Sequence, residues 1–311
     1  MLARLAVLAA ITATLAGCGG DDDPTEAAPT PTPNPTTEAE APAQTPAPPT
    51  SGANAYIGSI AVDPKDGTVI LGTGLGLFRL EKGAKEAERV TGQLQGPDGS
   101  GSVSSNLVVR YAGPGELLAS GHPEGGGGLP ENLGIIRSRD AGNTWEPVIE
   151  MGVSDYHLLQ VAGNRAVGVK ADEGDVMVAP DVTGGFEKRT PPDVPLDVAF
   201  DPGDSKRMIV ATKQGTFTSA NEGESWRARD PLPTEQLAWF KPDVLYRADT
   251  GGLIKVSADG GESWKDVGSV GMPINELAVD AGGALYASVA GGEVRHSTDG
   301  GKTWSRLVKL E

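Results

Sequence analysis

Cysteine is almost missing from this chain. Cys18 is the single one in 311 residues, so no disulfide can form within it and no zinc-type cysteine pattern exists. Basic clusters are missing too. Twenty-six Lys and Arg face 42 Asp and Glu, for a formal net charge of −16. An acidic surface without a basic patch argues against nucleic acid as a partner. There is no apolar run long enough to cross a membrane, since Leu5–Thr14 falls well short of a span. The glycine-rich runs carry no Lys-Ser/Thr and follow no strand-to-helix pattern, which excludes phosphate loops. Neither a nucleotide motif nor a Ser-His-Asp order is present.

The first segment that is present is an address. Met1-Leu-Ala-Arg4 gives a positive start, Leu5–Thr14 an apolar core, and Leu15-Ala16-Gly17-Cys18 a bacterial lipobox. Residues 1–17 therefore read as a lipoprotein signal peptide, with Cys18 the lipidated residue and the expected anchor in the cell membrane, outside the cytoplasm. Residues 18–53 follow as a Pro/Thr/Ala/Glu-rich linker that opens on Asp21-Asp22-Asp23. With almost no bulky apolar residue, this linker is expected to be a disordered tether, extended at about 3 Å per residue by its prolines.

Residues 54–311 carry a repeat. Its copies are Ser138-Arg-Asp140-Ala-Gly142-Asn-Thr144-Trp145, Ser219-Ala-Asn221-Glu-Gly223-Glu-Ser225-Trp226, Ser257-Ala-Asp259-Gly-Gly261-Glu-Ser263-Trp264 and Ser297-Thr-Asp299-Gly-Gly301-Lys-Thr303-Trp304. The spacing is about forty residues, with one double interval, and strand-like runs flank each copy, which is the signature of propeller blades. A worn copy, Ala179-Pro-Asp181-Val-Thr-Gly184-Gly185-Phe186, fills the double interval. In each copy the Asp or Asn bonds backbone N–H groups ahead of it, the Gly takes a positive φ, and the Trp packs on a neighbouring blade. Four of the five Trp residues hold this one position, which points to architecture. Six inner-strand runs, from Ser59-Ile-Ala-Val62 to Leu277-Ala-Val279, and six second-strand runs predict an all-β, six-bladed β-propeller with very little helix. The last strand should end beside blade one, where residues just before Tyr56 could act as a clasp.

The motif resembles the Asp-box (BNR) repeats of sialidases, sortilin-type receptors and the photosystem II assembly factor. That resemblance covers the chain after the linker, and it implies a fold more than an activity. The stretches Ala119-Ser-Gly-His122-Pro123, Asn132-Leu-Gly134 and Asp155-Tyr-His157-Leu158 further resemble bacterial exported propellers grouped as glycosyl-hydrolase-like or exo-sialidase-like. In those relatives a blade-one segment reads Thr-His-x-Gly-Leu-Phe-Arg, and Thr73–Arg79 here lacks the His.

Two features suggest where a site would lie. One polar residue precedes each inner apolar run, namely Ser59, Asn106, His157, Asp197, Gln236 and Glu276, and these could ring the channel mouth. The loop from Gly121 to Gly134 in blade two is far longer than its counterparts, such as Lys213-Gln-Gly215. The candidate channel-face site is therefore His122, Glu124, Asp155, His157, Asp197 and Glu276. His122 and His157 with one or two of these carboxylates could hold a divalent metal. His296 lies on a third strand beside an Asp box and reads as a surface residue. A sialidase-like glycoside hydrolase needs an arginine clamp, a Tyr–Glu nucleophile pair and an Asp acid, and the residues do not assemble them. The favoured expectation is a monomeric binding or assembly module. It would work through its channel face and blade-two loop on a polypeptide, a glycan or a membrane-protein partner, with hydrolysis as the alternative.

Overall fold

The computed structural model describes residues 56–310 apart from 97–98, 104–105, 124–127, 163, 172 and 183. The signal segment, Cys18 and the expected tether lie outside the described residues, as does Glu124. Among the described residues there is no helix. Six sheets, antiparallel except for one pair in blade two, follow one another along the chain, each running from an inner to an outer strand, and together they make a six-bladed β-propeller. The inner strands are Ile57–Val62, Val108–Gly113, Tyr156–Ala162, Asp197–Asp201, Gln236–Lys241 and Ile274–Val279.

The Asp boxes explain how the outer strands turn. In blade five Ser257 Oγ donates to Asp259 Oδ1 at 2.7 Å and accepts from Gly261 N at 2.7 Å. The carboxylate then accepts from Ser263 N at 2.9 Å and Ser263 Oγ at 2.5 Å. Burial alone would raise the Asp259 pKa, but these donors outweigh it and hold the group at about 2. Blades two and six repeat the set around Asp140 and Asp299, and Asn221 serves in blade four. The box glycines Gly142, Gly261 and Gly301 all sit at φ +93°, where an L side chain would be strained. Both carboxylate oxygens are thus occupied by the turn itself, which is why this residue type recurs.

Blade two departs from the pattern. Its sheet holds six strands, because a hairpin of Gln93–Gly96 and Gly99–Ser102 adds to the outer strand Thr144–Ile149 in parallel fashion. Blade two thus carries this hairpin in addition to the long Gly121–Gly134 loop.

The ring closes by packing. Ile57, Ile60 and Leu71 of blade one form one apolar cluster with Tyr286, Val294, Val308 and Leu310 of blade six. Ser288 Oγ donates to the Ile57 carbonyl at 2.9 Å, joining the first blade to the last. The outer strand of blade six, Ser305–Lys309, comes from the chain's end, and blade one supplies all four of its own strands. Any clasp from residues before Tyr56 falls outside the described residues.

Candidate functional site

Strand direction defines two faces. The loops entering the inner strands and those between second and third strands lie at one end, the channel face. The Asp boxes and the first turns lie at the other. Inner strands start at the channel face, so early residues sit near its mouth and later ones deeper.

The six polar residues expected at the mouth do not form one ring. Ser59, Asp197, Gln236 and Glu276 share a register, and the side chains of the first three each accept a backbone N–H from the next blade. Val109 N donates to Ser59 Oγ at 2.8 Å, Leu237 N to Asp197 Oδ2 at 2.8 Å and Leu277 N to Gln236 Oε1 at 3.3 Å. The reason is physical. An innermost strand has a free edge, and its buried N–H groups need acceptors. Asn106 instead precedes its strand, exposed at φ +51°, and His157 is the extra residue of a bulge at the start of blade three. In blades two and three that register holds the apolar Val108 and Leu158.

Two residues deeper, four blades carry Ala61, Ala199, Ala238 and Ala278, and the other two carry Arg110 and Gln160. The small alanines leave room at the axis for the Arg110 side chain. It reaches Glu276 Oε1 at 2.6 Å, Gln160 Oε1 at 3.2 Å and Ser59 Oγ at 3.1 Å. Beyond this crossbar lies a cavity of about 160 Å³, walled by Tyr111, Phe200, Trp239 and Val279 among others. Asp197 and Glu276 are both buried. Burial raises the pKa of each, and the Arg110 charge opposes that rise only in part, since one cation faces two acids.

A raised folded-state pKa means that stability is lost as pH rises from the ordinary carboxylate range, here between about pH 4 and 7. Glu276→Gln keeps an acceptor for Arg110 and removes one acid. The fall in melting temperature from pH 5 to pH 8 is expected to shrink in this variant by roughly 2–6 °C. Calorimetry at the two pH values reads the difference, and an unchanged fall would contradict the assignment.

His122, Asp155 and His157 gather away from this crossbar. His122 follows the second strand of blade two, Glu116–Ser120, while Asp155 and His157 flank Tyr156 at the start of blade three. Tyr156 is buried, and its N–H donates to Ser120 Oγ at 3.0 Å, which fixes the two elements together. His157 Nε2 lies 2.7 Å and His122 Nε2 3.2 Å from Asp155 Oδ2. The hydrogen bond to Asp155 raises the His157 pKa against the effect of burial. Burial would raise Asp155, but the two histidines outweigh it and leave it lowered. The loop bearing His122 is pinned by Leu133, which is buried in the apolar core, and by Leu133 N to Gly121 O at 3.1 Å.

Arg247 and Tyr156, of the residue types that an arginine clamp and a Tyr–Glu pair would need, have structural partners. Arg247 pairs with Asp230 at 2.7 Å and stacks on Trp264 at 4.5 Å, away from the channel. Tyr156 donates to Glu150 Oε2 at 2.7 Å.

The exposed apolar residues were not anticipated from the sequence. Among the described residues the large exposed hydrophobics are Tyr56, Leu75, Val153, Val194 and Leu232. Every one lies in a channel-face loop or at the head of an inner strand, and the last four are more than half exposed. Glu131, Asp193, Glu235 and Asp249 stand in the same set of loops.

Residues 295–306, the last Asp box, match the BNR/Asp-box repeat family. No curated protein matches the chain. Among solved structures, an ancestral GH74 enzyme is 12% identical with a TM-score of 0.54, over 84% of this chain and 39% of that one. The chain thus spans about two fifths of that enzyme's length. The WD40 β-propeller domain of Doa1 is 10% identical with a TM-score of 0.53, over 84% of each chain. YCF48 from Cyanidioschyzon merolae is 17% identical with a TM-score of 0.49, over 85% of this chain and 87% of that one. Fold and comparisons define the class, a β-propeller built on BNR/Asp-box repeats.

Proposed function

We propose that the chain is an extracytoplasmic, lipid-anchored propeller that binds a polypeptide partner across its channel face and blade-two loop. The observation that carries this reading is the one-sided placement of Leu75, Val153, Val194 and Leu232. Exposed apolar side chains gathered on one face of an acidic protein favour an interface. The acidic residues between them favour a partner segment in which apolar residues alternate with Lys or Arg. The lipobox ending at Cys18 supports the anchor, and the linker 18–53 supports reach from the membrane.

Glycoside hydrolysis fits the geometry less well. It needs two reachable carboxylates, and Asp197 and Glu276 are buried and engaged with backbone N–H groups or Arg110. The test is selection of peptides from a random library on the immobilised full chain. Peptides rich in apolar and basic residues are expected to be retained. Val153→Glu and Leu232→Glu are each expected to weaken retention by about tenfold without lowering the melting temperature. Selection of acidic peptides, or retention unchanged in both variants, would count against the reading.

A further inference from the structure

We propose that His122, Asp155 and His157 form a binding site for a divalent transition-metal ion, with zinc as the reference ligand. His122 Nδ1 lies 2.9 Å from the Glu131 carbonyl oxygen, which can only accept, so this nitrogen carries the proton. In a neutral ring, Nε2 then presents a lone pair, and it points at Asp155 Oδ2 from 3.2 Å. His157 Nε2 approaches the same oxygen at 2.7 Å. His122 Nε2 and Asp155 Oδ2 are electron-rich as they stand, His157 Nε2 becomes so when a bound cation displaces the proton of its hydrogen bond to Asp155, and all three atoms lie within 4.8 Å of one another. A single divalent cation satisfies them together.

The surroundings match a ligand set rather than an ordinary ion pair. The second nitrogen of His122 is held by a backbone carbonyl, the usual way a protein orients a metal-binding imidazole. Asp155 Oδ1 is buried without a hydrogen-bond partner, so the carboxylate has capacity left to bind a cation. The bulge at His157 turns its ring towards Asp155. Two imidazoles and one carboxylate suit zinc and its transition-metal neighbours, and exclude preference for magnesium or calcium, which want oxygen ligands. In a tetrahedral site with bonds near 2.1 Å, ligand atoms stand about 3.4 Å apart. The two measured separations must open by less than about 1 Å to reach that. The histidine side chains are 38% and 49% exposed, so their rings can make that adjustment. The same exposure leaves remaining coordination positions open to water or to a carboxylate or hydroxyl from a bound partner.

The residues come from two blades, so binding would also tie the blade-two loop to the head of blade three. Asp197 and Glu276, already joined to Arg110 and blade five, take no part.

The experiment is zinc titration of the untagged, chelator-treated full chain by calorimetry, with visible spectra of the cobalt-substituted protein as a second readout. One bound ion per chain is expected, with cobalt bands of a nitrogen-containing, low-coordinate site, and no comparable binding of magnesium. His122→Gln, His157→Gln and Asp155→Asn should each weaken zinc by at least about tenfold, while His296→Gln leaves it unchanged. If Asp155→Asn does not fold, the two histidine variants, altered at half-exposed positions, decide. Absence of zinc binding, or binding that survives both histidine variants, overturns the proposal.

Discussion

Replacing Arg110 with Met is expected to destabilise the propeller by about 3–5 kcal/mol at neutral pH, a fall in melting temperature of roughly 6–20 °C. The reason lies in what the substitution leaves behind. Arg110 donates to Glu276, Gln160 and Ser59, and it is the cation that opposes the charge of Asp197 and Glu276 at the axis. Without it two buried carboxylates face each other uncompensated, and removing one partner of a buried pair costs more than the pair contributes. The loss should be smaller at pH 5, where the raised pKa values let the acids take up protons. Adding Glu276→Gln to Arg110→Met should restore part of the stability, which makes the coupling measurable by a double-mutant cycle. Arg110→Lys keeps the charge but not the fork of donors, and an intermediate value is expected. Equal losses at both pH values, with no rescue in the double variant, would show that packing and not charge governs the axis.

Trp145→Ala is expected to cost about 3–5 kcal/mol, clearly more than Trp264→Ala or Trp304→Ala. The four Asp-box tryptophans occupy one position in the repeat, yet their surroundings differ. Trp145 is only 3% exposed, while Trp226, Trp264 and Trp304 are half-buried. The difference comes from the blade-two hairpin, where Leu94 pairs alongside Trp145 and joins it in a cluster with Leu77, Val90, Val103 and Leu117. Trp145 Nε1 also donates to the Gly142 carbonyl at 2.9 Å. Truncation there opens a cavity between blades one and two that the covered site cannot refill with water. At the half-buried positions less apolar area is lost and the neighbours can relax. Denaturant unfolding of the three variants under one set of conditions ranks them, and equal losses would mean that the hairpin adds no burial.

These two residues also mark what could be read from the amino-acid order. The Asp-box Trp positions and the six inner-strand runs were legible, because the repeat superimposes chemistry on a fixed period. The axis was legible in principle. Aligning Ile60-Ala61-Val62, Val198-Ala199-Phe200, Leu237-Ala238-Trp239 and Leu277-Ala278-Val279 places Arg110 and Gln160 where the other blades keep alanine. The polar residues just before the inner runs stand out more in the sequence, and three of them, Ser59, Asp197 and Gln236, serve as acceptors for the next blade's backbone. The hairpin carried a turn signal, Gly96-Pro97-Asp98-Gly99, but its strands are rich in Gly, Ser and Gln and lack the alternation that marks a half-buried strand. Convergence of His122 with Asp155 and His157 was legible only as shared location on one face. The distances depend on the bulge at His157 and on the path of the long loop, neither of which has a sequence period. The one-sided distribution of Leu75, Val153, Val194 and Leu232 required the loops to be assigned to faces before it could be seen.

The most direct test of partner binding through the channel face is site-specific photo-crosslinking in cells that carry the full chain. A photoreactive phenylalanine analogue placed at Val153 or Leu232, on the channel face, is compared with the same analogue at Lys302, on an Asp-box turn. The expected result is a discrete cross-linked polypeptide from the two channel-face positions and none from position 302. Cross-links of equal yield from both faces, or from position 302 alone, would contradict the account.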